Sequence, residues 1–421
     1  MFFIRGRSGV PLGHRFHLLC ASVAVSALGD GMRFVALPLL AARISGDPRD
    51  VALVATAEHL PWLLLSLPAG ALADRLDRRR LLFVVDALRA VLVGGLVLAL
   101  AVDRVSVPLL AVAGFLLGCG QTSYNAGWVG AVPSVVAPAH RPRANGRLQA
   151  SALVADPLLG APLGTVLFAA AVSAPFVLDA VSFAAAALLV LGIRGGLGGE
   201  QRVQGTVTRR GSAVRRLGAE AAEGVRWLWR HRLLRALCLA ACATNLVAGG
   251  VISVLVLYTR DVLRLSAQGY GVLVAVFAVG GVIGSLAAPR LADRLGNGWV
   301  LFAGPIGAAV ALGGVAAANC LLLVWSCTFL WGALSMAYGI VAVSVRQGLV
   351  PEHLMGRVGM AYQMLANGGM AVGAALAGVL AHGFGLRSPS LAGAAVLAAT
   401  GLLLAPVLRR SAQAPTPVSA S

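Results

Sequence analysis

The chain has 421 residues, of which 58% are hydrophobic and only 12% charged, and its mean hydropathy is +0.85. A soluble domain carries about 25% charge, so this composition excludes a soluble globular protein and points to a bilayer. The net charge of +18 comes from 34 basic residues, every one an arginine, spread between apolar stretches rather than gathered into the compact patch that binds nucleic acid.

The chain starts Met1-Phe-Phe-Ile-Arg5-Gly-Arg7 and stays polar to His17, so no cleaved signal peptide is expected. Twelve apolar windows of membrane-spanning length follow. They run over 16–42, 50–72, 81–102, 106–130, 146–171, 174–193, 234–258, 268–288, 299–317, 320–344, 358–381 and 389–408. The expected fold is therefore an all-α membrane protein with twelve transmembrane helices. Its expected organisation is a six-helix bundle over 1–193, a linker over 194–233, a second six-helix bundle over 234–410 and a disordered tail over 411–421.

The arginines orient these spans. One set of connections, together with the ends of the chain, holds 26 arginines. The opposite set holds only six: Arg43, Arg49, Arg104, Arg260, Arg264 and Arg387. The positive-inside rule then predicts a plasma-membrane protein with both termini in the cytoplasm. In the central connection, Gly195-Gly-Leu-Gly-Gly199 is flexible by composition. Beyond it, Val214, Leu217, Ala221, Val225 and Leu228 recur at helical spacing, with Trp227 and Trp229 suited to the headgroup zone. An amphipathic helix lying on the membrane surface is expected there.

Two segments repeat. Leu72-Ala-Asp74-Arg75-Leu76 returns as Leu291-Ala-Asp293-Arg294-Leu295, each closing an apolar span at the same point of its six-span half. A weaker echo pairs Tyr124 with Tyr338 and Pro138-Ala-His140 with Pro351-Glu-His353. Two parallel six-helix repeats are a standard transporter construction.

The stretch Gly70-Ala-Leu-Ala-Asp74-Arg75-Leu-Asp77-Arg78-Arg79-Arg80 resembles the loop signature of the major facilitator superfamily, with Asp77 in place of the second glycine. The second copy, ending Asp293-Arg294-Leu-Gly296, keeps that glycine. The segments around Asp30, Trp227 and Arg346 to Arg357 resemble the bacterial exporter branch, which includes macrolide-efflux and enterobactin-exporter-like proteins. An antiporter-type motif is only partly present, as Gly160-Ala-Pro162-Leu-Gly164. The resemblance implies two pseudo-symmetric six-helix bundles working by alternating access. It also implies a cytoplasmic gate made by Gly70, Asp74, Arg75, Arg78 and Arg79 with Asp293 and Arg294. Plain topogenesis by these basic residues is the competing reading.

Charge inside a span costs roughly 2.5–3.5 kcal/mol per residue on insertion scales, so the few intramembrane charges are informative. Asp30, Glu58 and Asp156 are the candidates for proton coupling, with Arg33 as counter-charge and substrate contact. For Asp156 the competing role is capping beside Pro157. Asp86 and Arg89, three residues apart, read as a local ion pair. Asp179, near the outer surface, reads as solvated or structurally paired. The second half offers only neutral groups deep in its spans. Asn245, Tyr338, Gln363 and Asn367 are candidate substrate contacts, with interhelical hydrogen bonding as the alternative.

The six cysteines have no metal-site spacing, and no P-loop or catalytic triad is visible. No cofactor, metal or catalytic residue is expected. The leading expectation is a monomeric, proton-coupled exporter of a small, partly hydrophobic molecule such as a drug, siderophore or secondary metabolite. A proton-coupled nutrient importer is the alternative, and a non-transporting sensor or membrane enzyme is the third class.

Overall fold

A computed structural model describes residues 13–137, 140–193, 223–351 and 354–410. Val214, Leu217 and Ala221 of the expected surface helix, and the tail over 411–421, lie outside the described residues. So do the side chains of Asp74 and Arg75.

Among the described residues twelve long helices follow one another, in register with the apolar windows. They are α1 His14–Ile44, α2 Pro48–Arg75, α3 Arg78–Ala101 and α4 Val107–Val135. Then come α5, which runs from Arg141–Leu153 through Val154–Gly160 to Ala161–Ala170, and α6 Ala174–Leu191. The second half has α7 Arg232–Leu257, prolonged by Tyr258–Val262, α8 Ala267–Leu295 and α9 Asn297–Ala317. It ends with α10 Leu321–Leu349, α11 Met355–Phe384 and α12 Ser388–Arg410. Eleven helices among the described residues are long and apolar enough to cross a membrane; α2, the other long one, carries Glu58 and His59 in its middle. Successive helices alternate direction, so the start of α1 and the end of α12 share one end of the bundle, here the near end. The α1–α2 connection marks the far end.

Small residues set the helix pairs. A Cβ added at Gly118 of α4 would overlap the Glu58 carbonyl of α2, and one at Gly280 or Gly284 of α8 would overlap the Phe329 or Ala333 carbonyl of α10. Likewise Gly31 of α1 meets the Asp156 carbonyl of α5, and Gly249 of α7 meets the Met370 carbonyl of α11. The pairs α2–α4 and α1–α5 thus return as α8–α10 and α7–α11. In lipid, where helices gain nothing by hiding apolar surface from water, such close backbone approach supplies the packing energy. The sequence repeat is therefore also a packing repeat.

The two copies of the repeated pentapeptide turn differently. Asp77 follows Leu76 and caps α3, its side chain accepting a 2.9 Å hydrogen bond from the Arg79 amide. Gly296 follows Leu295 at the same register and ends α8 with φ 83°, a conformation that favours glycine. Of the central connection, residues 223–230 are helical, and Leu228 is buried against the base of α7 while Trp229 is exposed.

The two halves meet closely at the far end. The Arg260 guanidinium at the end of α7 donates to the Ala42 carbonyl of α1 at 2.6 Å, and His382 of α11 lies 3.2 Å from Asp47. Gly271 of α8 packs on the Thr165 side chain of α5, and Gly378 of α11 on Ala52 and Pro48 of α2.

Candidate functional site

The first half holds a buried ionic cluster centred on two arginines. Arg33 on α1 reaches three carboxylates: Asp30 one helical turn earlier at 2.8 Å, Glu58 on α2, and Asp179 on α6 with Nε at 3.5 Å. Arg89 on α3 pairs with Asp30 and donates to Gln121 of α4 at 2.5 Å. Its bond to Asp86, at 3.5 Å, is the weaker one. The Phe183 ring of α6 lies 3.9 Å from the Arg89 guanidinium carbon, a cation–π contact. Asp30 therefore bridges two guanidiniums contributed by different helices.

Two expectations are refined. Asp86 and Arg89 are not a self-contained local pair, because Arg89 spans the helix interface to Asp30. Gly120 of α4 leaves the room, since a Cβ there would sit 2.8 Å from the Arg89 Cγ. For Asp179 the structure decides between the two readings: it is fully buried and paired with Arg33 rather than solvated. Gly29 of α1 has no side chain, and this lets α6 bring Asp179 against α1.

Asp156 lies in a π-helical turn, Val154–Gly160. Pro157 inside that turn has no N–H to donate, so the regular hydrogen-bond ladder cannot continue through it. Such single-turn widenings occur often at functional sites. Asp156 makes no ion pair with any described residue. It lines a polar pocket of about 130 Å³ together with Asp30, Arg33, Glu58, His59 and Gln121. His59 donates from Nδ1 to the Ala55 carbonyl at 2.8 Å, which leaves Nε2 available.

Asp156 also lines a second, larger cavity of about 650 Å³. Its walls are mostly apolar and come mainly from the other half: Val251 and Leu255 of α7, Val274 and Phe277 of α8, Thr328 and Trp331 of α10. The Phe277 and Trp331 rings are 4.7 Å apart. Phe34 of α1, one residue from Arg33, borders both spaces. A cavity of this size suits a drug-sized ligand.

Within the described residues, the interior of the first half carries five carboxylates, Asp30, Glu58, Asp86, Asp156 and Asp179, against the guanidiniums of Arg33 and Arg89. The carboxylates exceed the guanidiniums by three. Unpaired buried charge is costly, and three of these carboxylates have no guanidinium of their own among the described residues. The second half has no counterpart among the described residues, as expected from the sequence.

The remaining candidates are dispersed. Tyr338 is buried near the base of α7, where it and Tyr362 both donate to the Leu237 carbonyl, at 3.3 and 3.2 Å. Asn245, Gln363 and Asn367 are not among the residues lining the large cavity. At the loop signature, Arg79 donates to the Val190 and Leu191 carbonyls at the end of α6, within its own half. Gly70 faces the Met360 sulfur of α11, whereas Asp293 and Arg294 are exposed and form no ion pair with the described residues.

Sequence reasoning passed over His59, Gln121, Phe34, Phe277 and Trp331. His59 had a signal, a titratable ring beside Glu58 in an apolar span. Gln121 had one too, a lone amide in α4. The aromatic residues had none, because an aromatic side chain in a membrane helix faces lipid as readily as a cavity.

The sequence model of the Major Facilitator Superfamily matches residues 19–374 and, in a second alignment, 237–421. The chain belongs to the major facilitator superfamily. It is thus a multi-pass membrane transporter of small molecules and not an enzyme. The multidrug efflux pump Tap of Mycobacterium tuberculosis is 28% identical over 421 residues, covering 96% of each chain. The enterobactin exporter EntS of Salmonella choleraesuis is 32% identical over 167 residues, 37% of this chain and 38% of that protein. In fold, this superfamily member resembles a bacterial homologue of the iron transporter ferroportin in an inward-facing state. The TM-score is 0.71 at 17% identity, over 95% of this chain and 99% of that one.

Proposed function

We propose that this protein is a proton-coupled exporter of small, partly hydrophobic molecules, operating by alternating access in the plasma membrane with both termini in the cytoplasm. The observation that carries the reading is Asp156, one carboxylate bordering both the carboxylate-rich cluster and the apolar cavity. The likeness to Tap over nearly the whole chain supports export. The arginine distribution supports the orientation, which makes the near end cytoplasmic and the far end external. The structure then represents a state closed to the outside.

In this reading residues 1–193 form the proton-handling bundle, residues 234–410 the substrate-shaping bundle, and 194–233 the linker. Protons enter from outside onto Asp30, Glu58 and Asp156 and leave to the cytoplasm as substrate moves outward. Arg33 shifts among its carboxylate partners as they ionise. Phe34, Phe277 and Trp331 contact the apolar body of the substrate, and Gln363 and Asn367 of α11, with Asn245 and Tyr338, add neutral contacts as the bundles rock. The loop-signature residues Gly70, Asp74, Arg75, Arg78 and Arg79, with Asp293 and Arg294, close the cytoplasmic side in the opposite state. Asp293 and Arg294, exposed and without an ion pair among the described residues, fit a gate that is open here.

The test is extrusion of a panel of drugs from cells making the wild type, Asp30→Asn or Glu58→Gln. Both variants are expected to lose gradient-driven extrusion. Undiminished extrusion by both removes the coupling assignment, and uptake driven by an inward proton gradient reverses the direction.

A further inference from the structure

The chain has five tyrosines, all buried, and the hydroxyls of four of them have partners. Tyr124 meets Ser22 at 3.3 Å, Tyr258 donates to the Val315 carbonyl at 2.8 Å, and Tyr338 and Tyr362 share the Leu237 carbonyl. Tyr270 differs. It is 1% exposed, and its hydroxyl has no hydrogen-bond partner among the described residues. A buried tyrosine usually finds a partner for its O–H, and a buried hydroxyl without one has lost its solvation for nothing in return. Phenylalanine would fill the same space without that cost.

The position of Tyr270 is a boundary. It is the fourth residue of α8, at the far end. It lines a cavity of about 370 Å³ between the halves, together with Ala42 and Arg43 of α1 and Thr259 and Arg260 at the end of α7. Its hydroxyl oxygen has almost no solvent contact, so it is the ring that faces this cavity and the hydroxyl that is turned into the closure. On the inner side is Glu58, the eleventh residue of α2, which enters from the same end. Seven further residues at about 1.5 Å each put Glu58 about 10 Å deeper, a step that a phenol and a water together can span. Glu58 is also the charged group whose field reaches the hydroxyl. Across the cavity stand Arg43 and Arg260, the latter held by Asp261. Of the other elements packed on α8, Ala161–Ala170 and α9 have no charged residue, and α10 brings only the thiols of Cys320 and Cys327 to this end. Asp156 in the π turn is deeper still.

We infer that the Tyr270 hydroxyl is a proton relay between the far-end cavity and Glu58, broken in the state seen here and completed when water reaches it as the far end loosens. This rests on the proton-coupled reading and adds the residue that admits the proton. In the step itself, a hydronium ion in the cavity gives its proton to the phenol oxygen. The O–H proton of the phenol passes through a water to a Glu58 carboxylate oxygen. The phenol ends as it began, one O–H bond has formed on Glu58, and the ion pair with Arg33 is released. While the hydroxyl is dry the chain of waters is broken. A cluster facing the cytoplasm is then not joined to the outside as well, and a path open at both ends would dissipate the gradient without moving substrate.

Proton uptake tests the relay without a transported substrate. The protein is reconstituted in vesicles with its far end outward, the outer side is acidified in a stopped-flow mixer, and a pH dye follows uptake. Glu58→Gln is expected to take up fewer protons than the wild type. Tyr270→Phe is expected to take up as many as the wild type but about tenfold more slowly, since a positioned proton-transfer group is lost. Its melting temperature should be equal or higher, because the hydroxyl removed made no bond. Tyr258→Phe is the structural control: it loses the bond to Val315, should melt lower, and should take up protons at the wild-type rate. Wild-type kinetics in Tyr270→Phe overturn the relay and leave the export reading intact. Fewer protons or a lower melting temperature in Tyr270→Phe, or equal slowing in Tyr258→Phe, assign the effect to packing and also overturn it. Unchanged proton uptake in Glu58→Gln removes the coupling assignment, and the relay with it.

Discussion

His382 on α11 holds its Nδ1 3.2 Å from Oδ1 of Asp47 in the α1–α2 connection, tying the two halves at their closed end. Asp47 is the fixed member. The Arg49 side chain and backbone amide both donate to its carboxylate and lower it from the ordinary 3.8 to about 2. A carboxyl lowered in this way contributes its interactions above about pH 4 and loses them only as the pH falls through about 2. Asp47 is therefore an ionised acceptor at neutral pH, and removing the His382 ring removes the tie. His382→Ala is expected to lower the closed-end population at pH 7. Spin labels at Arg104→Cys and Ser266→Cys, in a background without the native cysteines, would report it as a distance. An unchanged distance distribution in His382→Ala sinks the idea.

Arg33 neutralises three buried carboxylates, so its removal strands them. Arg33→Ala is expected to cost about 3–5 kcal/mol, the usual penalty for breaking a buried ion pair from one side. Arg33→Lys keeps the charge but not the fork that spans Asp30, Glu58 and Asp179, so it should fold better and still transport poorly. Thermal unfolding in detergent alongside drug extrusion checks both. Equal stability of Arg33→Ala and the wild type contradicts the geometry.

Asp179 behaves oppositely. Neither of its carboxylate oxygens has a hydrogen-bond partner among the described residues, and its ion pair with Arg33 is a long 3.5 Å. Since the cluster already has an excess of carboxylates, Asp179→Asn is expected to leave stability within about 1 kcal/mol of the wild type or raise it. Its effect should appear in the pH profile of transport instead. A loss of stability as large as that expected for Arg33→Ala would show that Asp179 is an essential partner.

Gly31 is a packing prediction. Its missing side chain lets α1 lie against the Asp156 carbonyl in the π turn, and a backbone carbonyl cannot swing aside as a side chain can. Gly31→Ala should cost about 1–3 kcal/mol by overpacking and displace Asp156 from the polar pocket. Gly94, which has open space around it, is the control, and Gly94→Ala should be close to neutral. Comparable melting shifts in both variants would refute the distinction.

Much of this arrangement is legible in the sequence, and the exceptions have identifiable causes. Helix number and order follow from apolar length, and the paired halves follow from the repeated Leu-Ala-Asp-Arg-Leu. Asp30, Glu58 and Arg33 stand out because charge in a span is expensive, and the structure brings them together. Of the two readings of Asp179 the paired one holds, with Arg33, and its burial depends on Gly29 of a different helix. Arg89 was given its nearest partner in sequence, but Gly120 on α4 frees it to reach Asp30. In both cases the deciding feature is an absent side chain on a neighbouring helix, which no periodicity within a single helix reveals. The turn at Asp77 and Gly296 is a milder case: aspartate caps where glycine bends, so the departure from the loop signature changes the device and keeps the connection.

The five carboxylates facing two guanidiniums have an electrical consequence. On the proposed coupling, each proton bound or released alters the net charge of the first half while that half sits in the membrane field. One elementary charge crossing that field is worth about 2.3 kcal/mol per 100 mV. A carrier built this way would respond to voltage as well as to the pH difference, and its turnover in vesicles should change when a potassium diffusion potential is imposed at equal pH on both sides.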